Sequence, residues 1–163
     1  MKIAILTDTH WGVRGDSDFF LDNFKLFYEK VFFPTIKEEG VKVVLHLGDF
    51  WEHRKQVNIK TFRAACDIYQ APLHALGIQE KKIYGNHDVF YRNNNAVNLI
   101  DPIAKMFDNV EVVETSKVFD FDGLKIGMIS WINNANLQDA LKFFETANCD
   151  ILCGHFEIKD FDV

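Results

Sequence analysis

Cysteine pairs, proline-rich stretches and long apolar runs are all missing from this 163-residue sequence. Its apolar runs are short and each is broken by a charge or an amide, which excludes a membrane-spanning helix. The start, MKIAILTDTH, lacks the extended apolar stretch of a secretory signal. Cysteine is scarce: three residues, with Cys149 and Cys153 in the apolar run CDILC. That odd number and CxxxC spacing fit buried free thiols in a reducing compartment, so a cytoplasmic location is expected. No thiolate set of the kind that builds a structural zinc site is present. Three Pro and nine Gly beside sixteen Phe exclude collagen-like, low-complexity and disordered chains. Positive charge is also in deficit, with 18 Lys and Arg against 24 Asp and Glu for a net −6. This argues against a broad nucleic-acid-binding surface and leaves room for an acidic site that holds cations. What remains is a chain 48% hydrophobic. Its length suits one domain able to bury roughly 68–70% of its unfolded surface.

Short β-rich runs alternate with helical ones, the pattern of an α/β domain. Residues 2–7 read as a buried first strand, followed by a loop from Gly12 to Gly15. Asp16 or Ser17 is a plausible N-cap for a helix whose stripe is Phe20, Phe24, Phe27 and Val31. Pro34 should kink or end that helix, and Gly40 should stop it. Residues 41–47 (VKVVLHL) form a second buried strand running into Gly48-Asp49. Asn58 caps a second helix with the stripe Phe62, Cys66, Tyr69, Leu73 and Leu76, closed by Gly77. A third strand over 81–84 runs into Gly85-Asn86-His87-Asp88, and a helix over 97–107, weakened by Pro102, follows. Residues 110–113, 118–121 and 124–131 are strands, the last two joined at a two-residue Asp122-Gly123 turn. Residues 137–147 are helical, and 151–153 form a final strand ending at Gly154-His155.

Four strands thus end at polar clusters: Asp8-x-His10, Gly48-Asp49, Gly85-Asn86-His87-Asp88 and Gly154-His155. Ligands of open α/β sheets sit at the carboxyl ends of strands, so these residues should converge on one crevice. Asp, His and Asn offer oxygen and imidazole donors suited to divalent metals. Singly, each cluster has an ordinary explanation: a strand-end cap, a turn, a hairpin, a satisfied core histidine. All four at strand ends favour a shared metal site.

These motifs resemble the calcineurin-type metallophosphoesterases, and the intact GNHD is the most specific piece. The resemblance covers essentially the whole chain, residues 1–163 as one metallophosphoesterase (nuclease) domain, and implies an α-β-β-α sandwich. DTHWGVRGDSDFF, GDFWEHRK and GHFEI look like the DNA-repair and recombination exonuclease branch, in the manner of tailed-phage recombination endonuclease subunits. The resemblance implies two divalent metals, manganese first, with magnesium, iron or zinc as alternatives. Asp8 and His10 would hold the first, Asp49 would bridge, and Asn86 and His155 would hold the second. A metal-activated water would attack phosphorus in line. His87 would face the scissile phosphate, and Asp88 would orient His87.

Three departures from the family pattern stand out. Glu52, with His53 beside it, occupies a position where the family carries Asp or His; either residue could touch substrate, support a ligand or be an exposed turn. No GHxH occurs. Glu157 could stand in for its second histidine, but His155 reads better as the family's earlier histidine. The chain ends at Val163, so the resemblance implies a sandwich incomplete at its C-terminal side, weakened metal affinity and impaired catalysis. Arg14, Arg54, Lys55, Lys60, Arg63 and Arg92 sit in or after the strand-end loops where phosphates would approach, and Tyr91 and Trp51 could stack on bases. The resemblance further implies DNA as substrate and a coiled-coil, SMC-like ATPase partner; exposed helix faces leave a homodimer open. Two rival readings are a small-molecule or cyclic-nucleotide phosphodiesterase or phosphatase on the same fold, and a non-catalytic scaffold that binds DNA or a partner.

Overall fold

The structure, a computed structural model, describes residues 1–157. Four parallel strands form one sheet in the order β1 (Ile3–Leu6), β2 (Val43–His46), β3 (Gln79–Ile83) and β4 (Val110–Val113). A second sheet holds β5 (Ser116–Phe121), β6 (Leu124–Ile129) and β7 (Ile151–Gly154), with β5 antiparallel and β7 parallel to β6. Asp122 and Gly123 both take positive φ, 56° and 92°, as the tight β5–β6 hairpin requires. Val43, Leu45, Ile83 and Val113 of the first sheet pack on Phe121, Ile126 and Met128 of the second. The other face of the first sheet packs on helices through Val44, Tyr28, Phe32, Tyr69, Leu73 and Ile103. Gly127 alternates with the inward Ile126 and Met128, and Phe143 of α4 (Leu137–Thr146) approaches it from outside. The layers are therefore helices, sheet, sheet, helix: the expected α-β-β-α sandwich.

The first two helices share one construction. α1 runs through Asp18–Phe27, a π-helical turn Tyr28–Phe32 and Phe33–Glu38. α2 runs through Ile59–Ala65, a π-helical turn Cys66–Gln70 and Ala71–Ala75. Each π turn ends two residues before a proline, Pro34 or Pro72, which enters at the start of the last helical piece. Phe33 N–H donates to Tyr28 O and Ala71 N–H to Cys66 O, five residues back, so the widened turn absorbs the proline and the helix continues. The helix thus neither ends nor breaks at Pro34. The widened turn also shifts the buried stripe of α1 to Tyr28, Phe32, Phe33 and Ile36. Phe27 and Val31, expected inside, are 43% and 53% exposed. Gly40 and Gly77, both at φ 65°, end the two helices as anticipated.

Other boundaries moved for identifiable reasons. α3 covers Asp101–Met106, shorter than the expected 97–107. Residues 97–99 are drawn into a hairpin, with Phe90 N–H donating to Val97 O and Leu99 N–H to Asp88 O, so Pro102 opens the helix and does not weaken it. β1 is an edge strand, and Ile5 is 55% exposed where a buried strand was expected. Cys149 and Cys153 are half-buried rather than buried, and all three cysteines are free. Among the described residues no helix is long and apolar enough to cross a membrane.

Candidate metal centre

The carboxyl ends of β1, β2, β3 and β7 meet on one side of the sandwich. Asp8 N–H donates to Gly48 O (3.1 Å), His10 N–H to Asp49 O (3.0 Å) and Trp11 N–H to Phe50 O (2.8 Å), stitching the first two loops together. His87 N–H donates to Asp49 Oδ1 (2.8 Å) and brings in the third. The approach depends on glycine. A Cβ on Gly85 would lie 2.1 Å from Asp49 Oδ1, and one on Gly48, at φ 91°, would lie 2.7 Å from Gly85 N. Asp8, His10 and Asp49 hold left-handed φ values of 51°, 46° and 49°. Such backbone costs about 1–2 kcal/mol per residue. It persists where the surroundings over-determine it, typically at functional sites.

Five donor groups face one another here. His10 Nε2 lies 3.8 Å from Asp8 Oδ1 and 3.7 Å from Asp49 Oδ2. His155 Nε2 lies 3.5 Å from Asp49 Oδ2 and 3.0 Å from Asn86 Oδ1. Donor atoms each about 2.1 Å from a shared ion stand roughly 3–4 Å apart. Two of the remaining ring nitrogens are hydrogen-bonded elsewhere. His155 Nδ1–H donates to Leu47 O (3.1 Å) and His87 Nδ1–H to Glu52 O (2.6 Å), while His10 Nδ1 lies 3.0 Å from Glu52 Oε2. This points each Nε2 into the site, the arrangement in which a backbone carbonyl orients a metal-binding imidazole; without a metal, His155 Nε2–H donates to Asp49 instead.

Asn86 tests whether the residues fit a cation. Its Oδ1 faces the Asp49 carboxylate at 3.2 Å from both oxygens, acceptor against acceptor. A cation among them resolves this clash; without one, turning the amide lets its nitrogen donate to Asp49 instead. The donor set fits divalent metals. Among the described residues, two candidate groups have atoms mutually within 4.8 Å: His10, Asp49 and His87, and Asp8, Asp49 and His155. Asp49 belongs to both. The grouping otherwise differs from expectation, because Asp8 falls beside His155, and His87, expected to be no ligand, falls beside His10.

The electrostatics follow the same logic. Burial would raise the Asp49 pKa, but hydrogen bonds from His155 and the His87 N–H, with their charge, hold it below the usual carboxylate range. Burial would lower His155, yet its hydrogen bond to Asp49 and that carboxylate's charge push it up to about 9.

Asp88 does not orient His87. Its fully buried carboxylate accepts from Trp51 N–H (3.0 Å) and Gly85 N–H (2.8 Å), clasping the second loop to the third. Burial pushes its pKa to about 6, against the pull of those two N–H groups. Trp51 is no base-stacking platform either. It is buried, stacked on Phe62 with centroids 5.7 Å apart, and donates its indole N–H to Leu99 O. Glu52 supports His10. Glu157 accepts from the Trp131 indole (3.2 Å), so it does not take the place of a ligand histidine. Lys60 pairs with Asp18 and Arg63 with Asp67, both on helices. Arg14, His53, Tyr91 and Arg92 are exposed on loops. Half-buried Arg54 donates to Val89 O and lies over Trp131, and Lys55 lies over Phe90.

Sequence reasoning missed Thr9, His46, Glu80 and Lys82. His46 and Lys82 are fully buried beside Phe50, and Glu80 is fully buried with Lys82, yet VLHL and QEKKI carried no sign that polar side chains would turn inward.

A calcineurin-like phosphoesterase superfamily domain matches residues 1–158. The chain belongs to this superfamily. Its metal-dependent chemistry agrees with the ligand groups described above. The chain is 31% identical over 165 residues to exonuclease subunit 1 of Enterobacteria phage T4, covering 99% of this chain and 47% of the phage protein. It thus spans about half the length of that relative. An archaeal phosphodiesterase superposes with a TM-score of 0.51 at 20% identity, over 93% of this chain and 70% of its own, which places the phosphoesterase fold.

Proposed function

We propose that this phosphoesterase hydrolyses phosphodiester bonds in DNA, as the nuclease subunit of a recombination or repair complex in the cytoplasm of a host cell. The observation that carries the reading is the convergence of Asp8, His10, Asp49, Asn86 and His155 on one space into which His87 Nε2 also opens. The phage relative, named an exonuclease subunit, supports a nuclease and a partner; our reading assigns a coiled-coil ATPase to that role. Asp8, His10, Asp49, Asn86 and His155 would hold two divalent ions, manganese first, with magnesium, iron or zinc as alternatives. Bound there, such ions acidify a water and neutralise charge on the phosphate.

The chain's own residues do the rest. Asp49, kept ionised by His87 N–H and His155, would be the ligand common to both ions. His87, fixed by Glu52 O through Nδ1–H, acts as the doubly protonated imidazolium: it presents Nε2–H to the scissile phosphate, gives that proton to the leaving oxygen and is left neutral. Asp88 keeps the GNHD loop closed against Trp51. Arg14, His53, Arg54, Lys55, Tyr91 and Arg92 border the approach, with Arg54 held by Val89 O and Trp131.

Cleavage of a labelled DNA oligonucleotide with manganese, measured beside a chromogenic phosphodiester, tests the reading. We expect chelator-sensitive DNA cleavage that falls roughly 100-fold or more in His87→Ala, the scale of losing a general acid. Hydrolysis of the small ester without DNA cleavage would identify a small-molecule phosphodiesterase. Equal activity in His87→Ala would overturn its catalytic role.

A further inference from the structure

The strained backbone at Asp8 and His10 brackets Thr9, whose side chain points inward. Thr9 Oγ1 lies 3.1 Å from His46 Nε2 and 3.4 Å from Phe50 O. A hydroxyl has one hydrogen, and Thr9 donates it to Phe50 O, so its oxygen accepts from His46 Nε2–H. The opposite nitrogen agrees: His46 Nδ1 is buried without a partner, and a proton placed there would be a stranded donor. His46 is fully buried where β2 ends, three residues before Asp49, and its ring meets Phe50 edge-on at 5.3 Å. One imidazole therefore joins the loop that carries Asp8 and His10 to the segment that carries Asp49. Backbone hydrogen bonds set the spacing of these loops, and the Thr9 side chain supplies an inward anchor between the two left-handed residues.

We propose that His46 is a positioning residue of the metal centre: through the Thr9 hydroxyl it fastens the loop between Asp8 and His10, whose left-handed backbone turns both ligands toward Asp49. This inference rests on the metal-centre reading above, but His46 itself touches neither metal nor substrate. Its function is geometric. Loss of the hydrogen bond lets the loop relax toward ordinary backbone and carries the Asp8 and His10 donor atoms away from Asp49.

Calorimetric titration of the full-length protein with manganese tests it, using His46→Phe, Thr9→Val, the double variant and His46→Gln. Thr9→Val keeps the shape of a half-buried loop residue and so remains informative if His46→Phe does not fold. Each single variant should weaken manganese binding about tenfold, the usual cost of losing a partner that orients a ligand. His46→Phe removes the bond to Thr9, and Thr9→Val removes that bond together with the one to Phe50 O, so the double variant should be no worse than Thr9→Val alone. His46→Gln, whose amide still donates, should recover most of the affinity. Thr9→Val affinity within about twofold of wild type, or losses that add in the double variant, would overturn the proposal. Wild-type protein that binds no manganese would overturn the metal-centre reading as well, which separates the two failures.

Discussion

Gly85 shows how little room the site leaves around Asp49. Its missing side chain would lie 2.1 Å from Asp49 Oδ1 and 2.2 Å from Asp49 N, so Gly85→Ala must displace the carboxylate common to both ligand groups. Manganese calorimetry should then show both sites weakened together, and loss at one site alone would show that Asp49 is not shared. Glu80 is a second point of sensitivity, away from the ligands. It accepts from Tyr69 OH (2.7 Å) and Gln70 (3.1 Å) and pairs with Lys82 (3.3 Å), all fully buried. Glu80→Leu strands three polar partners and should cost about 3–5 kcal/mol in urea unfolding, the scale of breaking a buried pair. His155 gives a pH dependence. In metal-free protein its proton stays on up to about pH 9, so its stabilising contribution is complete below its ordinary pKa of 6.5 and is lost as pH rises through about 9. A metal must displace that proton, so manganese affinity should climb by about tenfold per pH unit up to that value. A flat calorimetric profile would contradict His155 as a ligand. The ligand candidates were legible because each closely follows a strand, with Asp49, Asn86 and His155 directly after a glycine. His46 and Thr9 were not, because a histidine inside an apolar run carries no mark of what it meets across the loop.

The helices and strands were legible where a local signal fixed them. Asn58 is the clearest case: its Oδ1 accepts from Lys60 N–H at 2.9 Å, the N-cap bond anticipated from its place before the stripe. Asn58→Ala should cost about 1 kcal/mol in thermal or urea unfolding, with little effect on metal binding. The register of α1 was not legible past Tyr28. A regular helical period carries Phe27 and Val31 inward, whereas the π turn before Pro34 advances the chain by an extra residue and turns Tyr28 and Phe32 toward the sheet. β3 was misread in a related way. The alternation of buried Glu80 and Lys82 with Lys81 is a regular strand pattern written in charges, so apolar periodicity could not reveal it.

The sandwich accounts for how clusters spread from Asp8 to His155 reach one place. β1, β2 and β3 are adjacent and parallel, so their carboxyl ends align, and β7 of the second sheet delivers His155 against Leu47 and Asp49. The net charge of −6 coexists with exposed Arg14, Lys55 and Arg92 and half-buried Arg54 on the segments that follow the strand-end motifs, which the proposed function places along the path of the substrate. DNA held by those few cations should dissociate readily as salt rises, because each phosphate contact releases counterions that added salt returns. All of this depends on the strand ends building a centre organised around Asp49. Manganese titration of wild type and Asp49→Asn tests that most directly. Two ions bound by wild type, with both affinities collapsing in Asp49→Asn while the fold persists by circular dichroism, is the predicted result. Absence of binding in wild type, or binding that survives Asp49→Asn, would contradict it.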